Sequence, residues 1–139
     1  MSKKQPNDVF FRAKINQINV FCAFDEIIAA DTLKENPKNP NTHPEEQIKL
    51  LADIIKRTGW RAPITVSTRS GYIVKGHGRL KAAKLAGFEA VPVEYQNFSS
   101  DEEETAALLA DNKIAELAEI DSKLLAEMFD EFNFQEYGD

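Results

Sequence analysis

Among its 139 residues the chain has one cysteine and two histidines, and it lacks any run of about 18 apolar residues that could span a bilayer. Each shortage excludes something. Cys22 cannot close a disulfide within the chain, and no His–Asp signature accompanies it, so a catalytic thiol is not expected. His43 and His77 lie far apart in sequence, which argues against a zinc site. No CxxC, HExxH, Walker A or GxSxG pattern occurs. The start MSKKQPNDVFF has no apolar signal core, and a cytoplasmic protein with no membrane contact is the expectation. An excess of positive charge is missing too. The 17 Lys and Arg residues against 23 Asp and Glu leave a net charge of −6, which argues against a broadly basic nucleic-acid surface. Lys75, Arg79, Lys81 and Lys84 nevertheless crowd one region.

What is present reads as one folded domain. The apolar share of 42% and charged share of 29% are ordinary for a globular chain. Residues Val9 to Phe24 are rich in strand formers and predict one or two strands, with Ile18–Val20 the clearest alternation. The stretch from Glu26 to Leu33 reads as a strand running into a short turn. Pro37, Pro40 and Pro44 punctuate a loop, after which Thr42 stands at capping-box spacing before Glu45. Ile48, Leu51, Ala52 and Ile55 predict a helix from Pro44 to Thr58, ended by Gly59. Ile64 and Val66 alternate with Thr65 and Ser67 as in a half-buried strand, and Arg69–Gly71 supplies a hairpin turn into Tyr72–Val74. Trp60 reads as a core residue.

Further along, Arg79 opens a helix with Leu80, Ala83 and Leu85 on its apolar side and Gly87 at its C-terminal cap. Val91–Val93 resumes an extended pattern in which Pro92 should face an edge or a bulge. Ser99 or Ser100 can cap a third helix, with Asp101–Glu104 at the positive end of its dipole. Ala106, Leu109, Ala110 and Lys113 give that helix its spacing, and Glu102, Glu103 and Glu104 read as a solvated helix start. A last helix is expected from Asp121 or Ser122.

Chemistry concentrates in the turn Gly76-His77-Gly78-Arg79. Glycines let backbone N–H groups approach a ligand, and a helix N-terminus carries partial positive charge. The Arg79 guanidinium is a fork suited to phosphate, and His77 is a titratable donor or acceptor. The turn reads equally as an anion cradle or as an ordinary strand-to-helix connection. Asp111-Asn112 is odd inside a helix, since both residues favour caps and loops. It reads either as a ligand for magnesium or a phosphate-bound group, or as a helix break.

The order of the segments NPKNPNTHPEEQIKLLADIIKRTGWRAPITV, GYIVKGHGRLKAAKLAGFEAVPV and LLADNKIAELAEID resembles the N-terminal domain of the ParB/sulfiredoxin superfamily, over about Glu26 to Asp121. The resemblance implies an α+β fold, a compact domain with a small mixed sheet packed against several helices. It divides the chain into an N-terminal extension with strands (1–24), the ParB-like domain (25–121) and a C-terminal helix and tail (122–139). It implies a nucleotide site in which Gly76, His77, Gly78 and Arg79 hold phosphates and Gly59 and Pro63 border the nucleotide. Asp111 and Asn112 match a pair that contacts triphosphate and magnesium, with Asp111 the Mg²⁺ ligand. The implied cofactor is a nucleoside triphosphate, CTP or ATP, with Mg²⁺. Three positions depart from the family pattern: Ala62 replaces a glutamine, Gly78 an arginine and Ala115 a basic residue. His77 stands where the sulfiredoxin branch has its cysteine, so sulfinic-acid reduction is not expected. The GHGR form is similar to ParB-like domains of phages and mobile elements, including those ahead of DNA methyltransferases.

The function this implies is a nucleotide-binding module in DNA maintenance, segregation or modification. One alternative is a phosphotransferase, NTPase or nuclease with His77 as its catalytic group. Another is a non-catalytic recruiting domain for a DNA methyltransferase. The implied partners are a nucleotide, DNA held weakly and without sequence reading, a methyltransferase or phage protein, and a second copy of the chain.

Overall fold

A computed structural model describes residues 11–39 and 43–111. Strands β1 (Ala13–Ile15) and β2 (Ile18–Val20) form an antiparallel hairpin. Its turn residues Asn16 and Gln17 have φ of 49° and 69°, the left-handed pair that matches the twist of a two-residue hairpin. Ile15 and Val20 join the main core. Strand β3 (Glu26–Ala29) runs into a 3₁₀ turn at Ala30–Thr32, as its sequence implies. Helix α1 (Glu45–Thr58) buries Ile48, Ala52 and Ile55, and Leu51 packs at the margin. Pro44 is the N-cap residue, and no side chain caps this end; Thr42, the expected capping residue, lies outside the described residues.

Strands β4 (Ile64–Ser67), β5 (Ile73–Lys75) and β6 (Ala90–Gln96) complete a four-stranded sheet in the order β3-β6-β4-β5. β4 runs parallel to β6, and the other two pairings are antiparallel. The fold is therefore the expected α+β arrangement. Two strands differ from their sequence reading. All four residues of β4 are buried, because the strand is interior to the sheet and covered on both faces. Thr65 satisfies its hydroxyl on Glu94 at 2.8 Å, so polar residues can occupy a buried strand. β6 is interior as well, and Pro92 sits within it opposite Ile27. The ladder to β4 begins one residue later, at Ile64 and Val93, so the absent N–H of Pro92 costs that ladder nothing.

Helix α2 (His77–Ala86) packs beside α1 on one sheet face. It buries His77, Leu80, Ala82 and Ala83, while Leu85 is 50% exposed, so the apolar side is rotated from the expected Leu80, Ala83, Leu85 stripe. The His43 ring lies against Gly78, and Trp60 meets Phe88 at a centroid distance of 6.3 Å. The two helices thus run in the same direction, with both N-termini at one end.

Residues 101–111 form a third helix, α3. The Ser100 hydroxyl accepts the Glu103 N–H at 3.1 Å, and Ser99 donates to the Glu103 carboxylate at 2.7 Å, the capping pattern expected there. Leu108 packs with Val74 and Phe98 on the sheet face opposite α1 and α2. The buried side of α3 is Glu104, Leu108 and half-buried Asp111, whereas Leu109 is 50% exposed. The sequence reading therefore chose the wrong side of this helix, and it placed Glu104 in solvent. Glu104 is 3% exposed and accepts hydrogen bonds from Ser67 and, at 2.8 Å, from Ser70, with Arg69 at 3.3 Å. Around it Asp101 pairs with Lys38 at 2.6 Å and Arg69 at 3.0 Å. Burial pushes the Glu104 carboxyl up, but the Ser67 and Ser70 bonds and the Arg69 charge outweigh it and leave it below its ordinary value.

Glu104→Gln keeps the shape and removes the charge from these hydrogen bonds. The expected loss is about 2 kcal/mol at pH 7, read from the urea midpoint. An unchanged midpoint would show that the buried charge is not needed. Because the folded carboxyl is the stronger acid, its stabilisation is complete above about 4.3 and fades as pH falls further.

Among the described residues no helix is long and apolar enough to cross a membrane.

Candidate functional site

The site grows from the junction of β5 and α2. Gly76 follows Lys75 with φ 96° and ψ 21°, and a Cβ there would meet the Ile64 Cα and Cγ1 at 3.2 Å. Only glycine combines that left-handed backbone with so close an approach to β4. The Gly76 carbonyl accepts the Leu80 N–H at 3.0 Å, which starts the helix. No side chain caps this end, and α2 has no acidic residue in its first turn. The N-terminus of α1, at the same end of the fold, differs in carrying Glu45 and Glu46 in its first turn. The uncompensated positive end is that of α2, which suits an anion.

Side chains around it come from four segments. Asp111, on α3, receives the Gly76 N–H and faces the charges of Arg79, Lys75 and His43; burial nevertheless holds its carboxyl above the ordinary value. Arg79 is partly buried, and among the described residues nothing closes an ion pair with its guanidinium. Lys81 lies 3.8 Å from Glu35. His77, 3% exposed, accepts the Asn36 N–H on Nε2 at 3.1 Å, and its Nδ1 is buried with no partner among the described residues. Burial, more than the neighbouring charges, lowers its pKa to about 4. Asn36 is itself held by its Oδ1, which accepts the Lys38 N–H at 2.9 Å. Burial raises the Cys22 thiol against the pull of its own backbone hydrogen bond and of Arg79, so a reactive thiolate is disfavoured.

Of the residues singled out in the sequence, Gly76, His77, Gly78, Arg79 and Asp111 come together here. Pro63 is half-buried and directly precedes Ile64, the neighbour of Gly76. The nearest neighbours of a side chain at Gly59 are Asn19 and Phe21, at the end of β2. Asn112 and Ala115 lie outside the described residues. Asn36 went unassigned in the sequence, whereas His43 reads there as a helix-entry residue or as part of a ligand rim. The Asn-Pro pair at 36–37 looks like loop punctuation, and nothing in it signals a backbone donor for a distant histidine. Among the described residues no group of three or more His, Cys, Asp or Glu could hold a metal.

A model of the ParB N-terminal domain matches residues 12–119. The Escherichia coli (strain K12) ParB-like nuclease domain-containing protein YnaK is 37% identical over 65 residues, covering 47% of this chain and 74% of YnaK. A probable chromosome-partitioning protein ParB of Rickettsia typhi is 32% identical over 111 residues, covering 78% of this chain but only 38% of the rickettsial protein. Among solved structures, C-terminally truncated ParB from Caulobacter crescentus complexed with CTP-gamma-S superposes with a TM-score of 0.54 at 28% identity. That match covers 63% of this chain and 51% of the Caulobacter chain.

Proposed function

The chain belongs to the ParB N-terminal domain family, and from that premise we propose that it is a nucleotide-binding module acting in DNA segregation or maintenance. The observation that carries the reading is the uncapped N-terminus of α2, free of acidic residues in its first turn and flanked by Arg79 and Lys75. The first-turn N–H groups and the Arg79 fork are donors matched to phosphate oxygens. The Caulobacter relative, in complex with a CTP analogue, makes a cytidine nucleotide the first ligand to try. Asp111 suits a Mg²⁺ that arrives on the phosphates, because Mg²⁺ is commonly held by one or two carboxylates together with substrate phosphate. Association with DNA would be weak and salt-sensitive for a chain of net charge −6.

Calorimetric titration with CTP, ATP, GTP and ADP in the presence of Mg²⁺ tests this reading. At least one triphosphate should bind, and Arg79→Ala should weaken it tenfold or more, since a charge-assisted hydrogen bond contributes about 1.5–3 kcal/mol. Folded protein that binds none of the four would overturn the assignment.

A further inference from the structure

Gly78 lies inside the first turn of α2, where any residue could adopt the backbone, yet it has a neighbour that explains its missing side chain. A Cβ at this position would meet the His43 ring at Cε1 (3.4 Å), Nε2 (3.5 Å) and Nδ1 (3.7 Å). The nitrogen-bearing edge of His43 is therefore seated on the first turn of α2. The ring is also oriented from the first turn of α1, because Nδ1 lies 3.4 Å from Gln47 Oε1. With Nδ1–H turned to Gln47, the doubly protonated ring has its Nε2–H left to offer an anion. His43 is within electrostatic reach of both His77 and Asp111.

His77 supplies an independent sign of a ligand at this end. Its Nε2 accepts the Asn36 N–H, so in the neutral ring the proton sits on Nδ1. That donor is buried and has no partner among the described residues, whereas buried polar groups are nearly always paired. An anionic oxygen at the N-terminus of α2 would satisfy it.

We propose that His43, seated on Gly78, is a ligand-contacting residue of this site and, as the imidazolium, donates its Nε2–H to the polyphosphate chain of a nucleotide. The inference rests on the reading of α2 as a phosphate site and adds a contact from the segment that leads into α1. It gives Gly78 a role: an absent side chain makes room for an imidazole that reaches in from the entry to α1.

The test is titration of CTP and of inorganic triphosphate, with Mg²⁺, into the wild-type protein and into His43→Ala, alongside ¹⁵N spectra of the histidine rings. His43→Ala should bind about tenfold more weakly with its unliganded Tm unchanged, and either ligand should shift the His43 Nε2 resonance of the wild type. Should His43→Ala fail to fold, the wild-type Nε2 shift together with weakened binding by His43→Gln decides. Equal affinity in wild type and His43 variants, with an unmoved Nε2 resonance, overturns the His43 contact and leaves the phosphate site standing. A folded wild type that binds neither ligand, nor any nucleotide of the panel above, overturns both.

Discussion

Between pH 7 and pH 4 the protein will lose about 3 kcal/mol of stability through His77 alone, given a folded pKa of about 4 against 6.5 and about 1.4 kcal/mol per pH unit. The ring is buried and accepts the Asn36 N–H through the lone pair a second proton would need. In the folded protein it therefore stays neutral until about 4, while in the unfolded chain it protonates from 6.5 downward. Across that window the unfolded state binds more protons, so stability falls as pH falls. Asp111 opposes this near the acidic end, because its raised carboxyl takes up its proton more readily when folded. Glu104 acts in the other direction and at lower pH. Both are unchanged in His77→Gln, whose amide oxygen can replace Nε2 as the acceptor for Asn36. Urea unfolding from pH 7 to 4.5 should therefore show a steep decline for the wild type and a much shallower one for the variant. Parallel curves would mean that His77 titrates alike in both states.

The same geometry bears on whether His77 could do acid–base chemistry. A general base works best with a pKa near the operating pH and an open lone pair, and His77 has neither. It is better suited to holding and donating a fixed proton at Nδ1. That weighs against the phosphotransferase and nuclease alternatives built on His77 and favours binding over turnover.

The order of strands and helices was readable because α1 repeats its apolar residues with helical period and because glycines mark the ends of α1 and α2. The Gly76–Arg79 turn was readable for a related reason, since two glycines in three residues between a strand and a helix have few uses. Burial of polar residues was not readable. Glu104 occupies a core-facing position of α3, but its partners Ser67, Ser70 and Arg69 lie in the β4–β5 hairpin, so no local pattern reveals that the carboxylate is satisfied. With Glu104 counted as solvated, the apolar pattern of α3 selected Leu109 in place of Leu108. β4 misled in a similar way, since Thr65 and Ser67 mimic an exposed face and are paired across the sheet and to α3. For His43 the sequence offers helix entry or a ligand rim, and its seat on Gly78 was not readable, because it depends on the side chain Gly78 lacks, a relation between two distant segments that sequence spacing does not express.

Gly59→Ala separates the two roles open to that glycine, and its expected cost is the largest, about 4 kcal/mol. Gly59 ends α1 with φ 80° and ψ 176°, a region that essentially only glycine occupies and that costs roughly 1–3 kcal/mol for another residue. A Cβ would also stand 2.6 Å from the Asn19 carbonyl oxygen and 2.7 Å from the Phe21 ring. That carbonyl cannot easily retreat. It accepts the Trp60 N–H at 2.9 Å, and Trp60 returns the bond by accepting the Phe21 N–H at 2.9 Å. Relieving the clash would pull the β1–β2 hairpin away from Trp60, a core residue 1% exposed, and overpacking of this kind costs roughly a further 1–3 kcal/mol. The variant should melt about 12 °C below the wild type, with or without nucleotide present. If Gly59 served mainly to border a nucleotide, Gly59→Ala would instead melt normally and lose affinity. A normal Tm would therefore return Gly59 to the binding site and remove it from the joint between α1 and the hairpin.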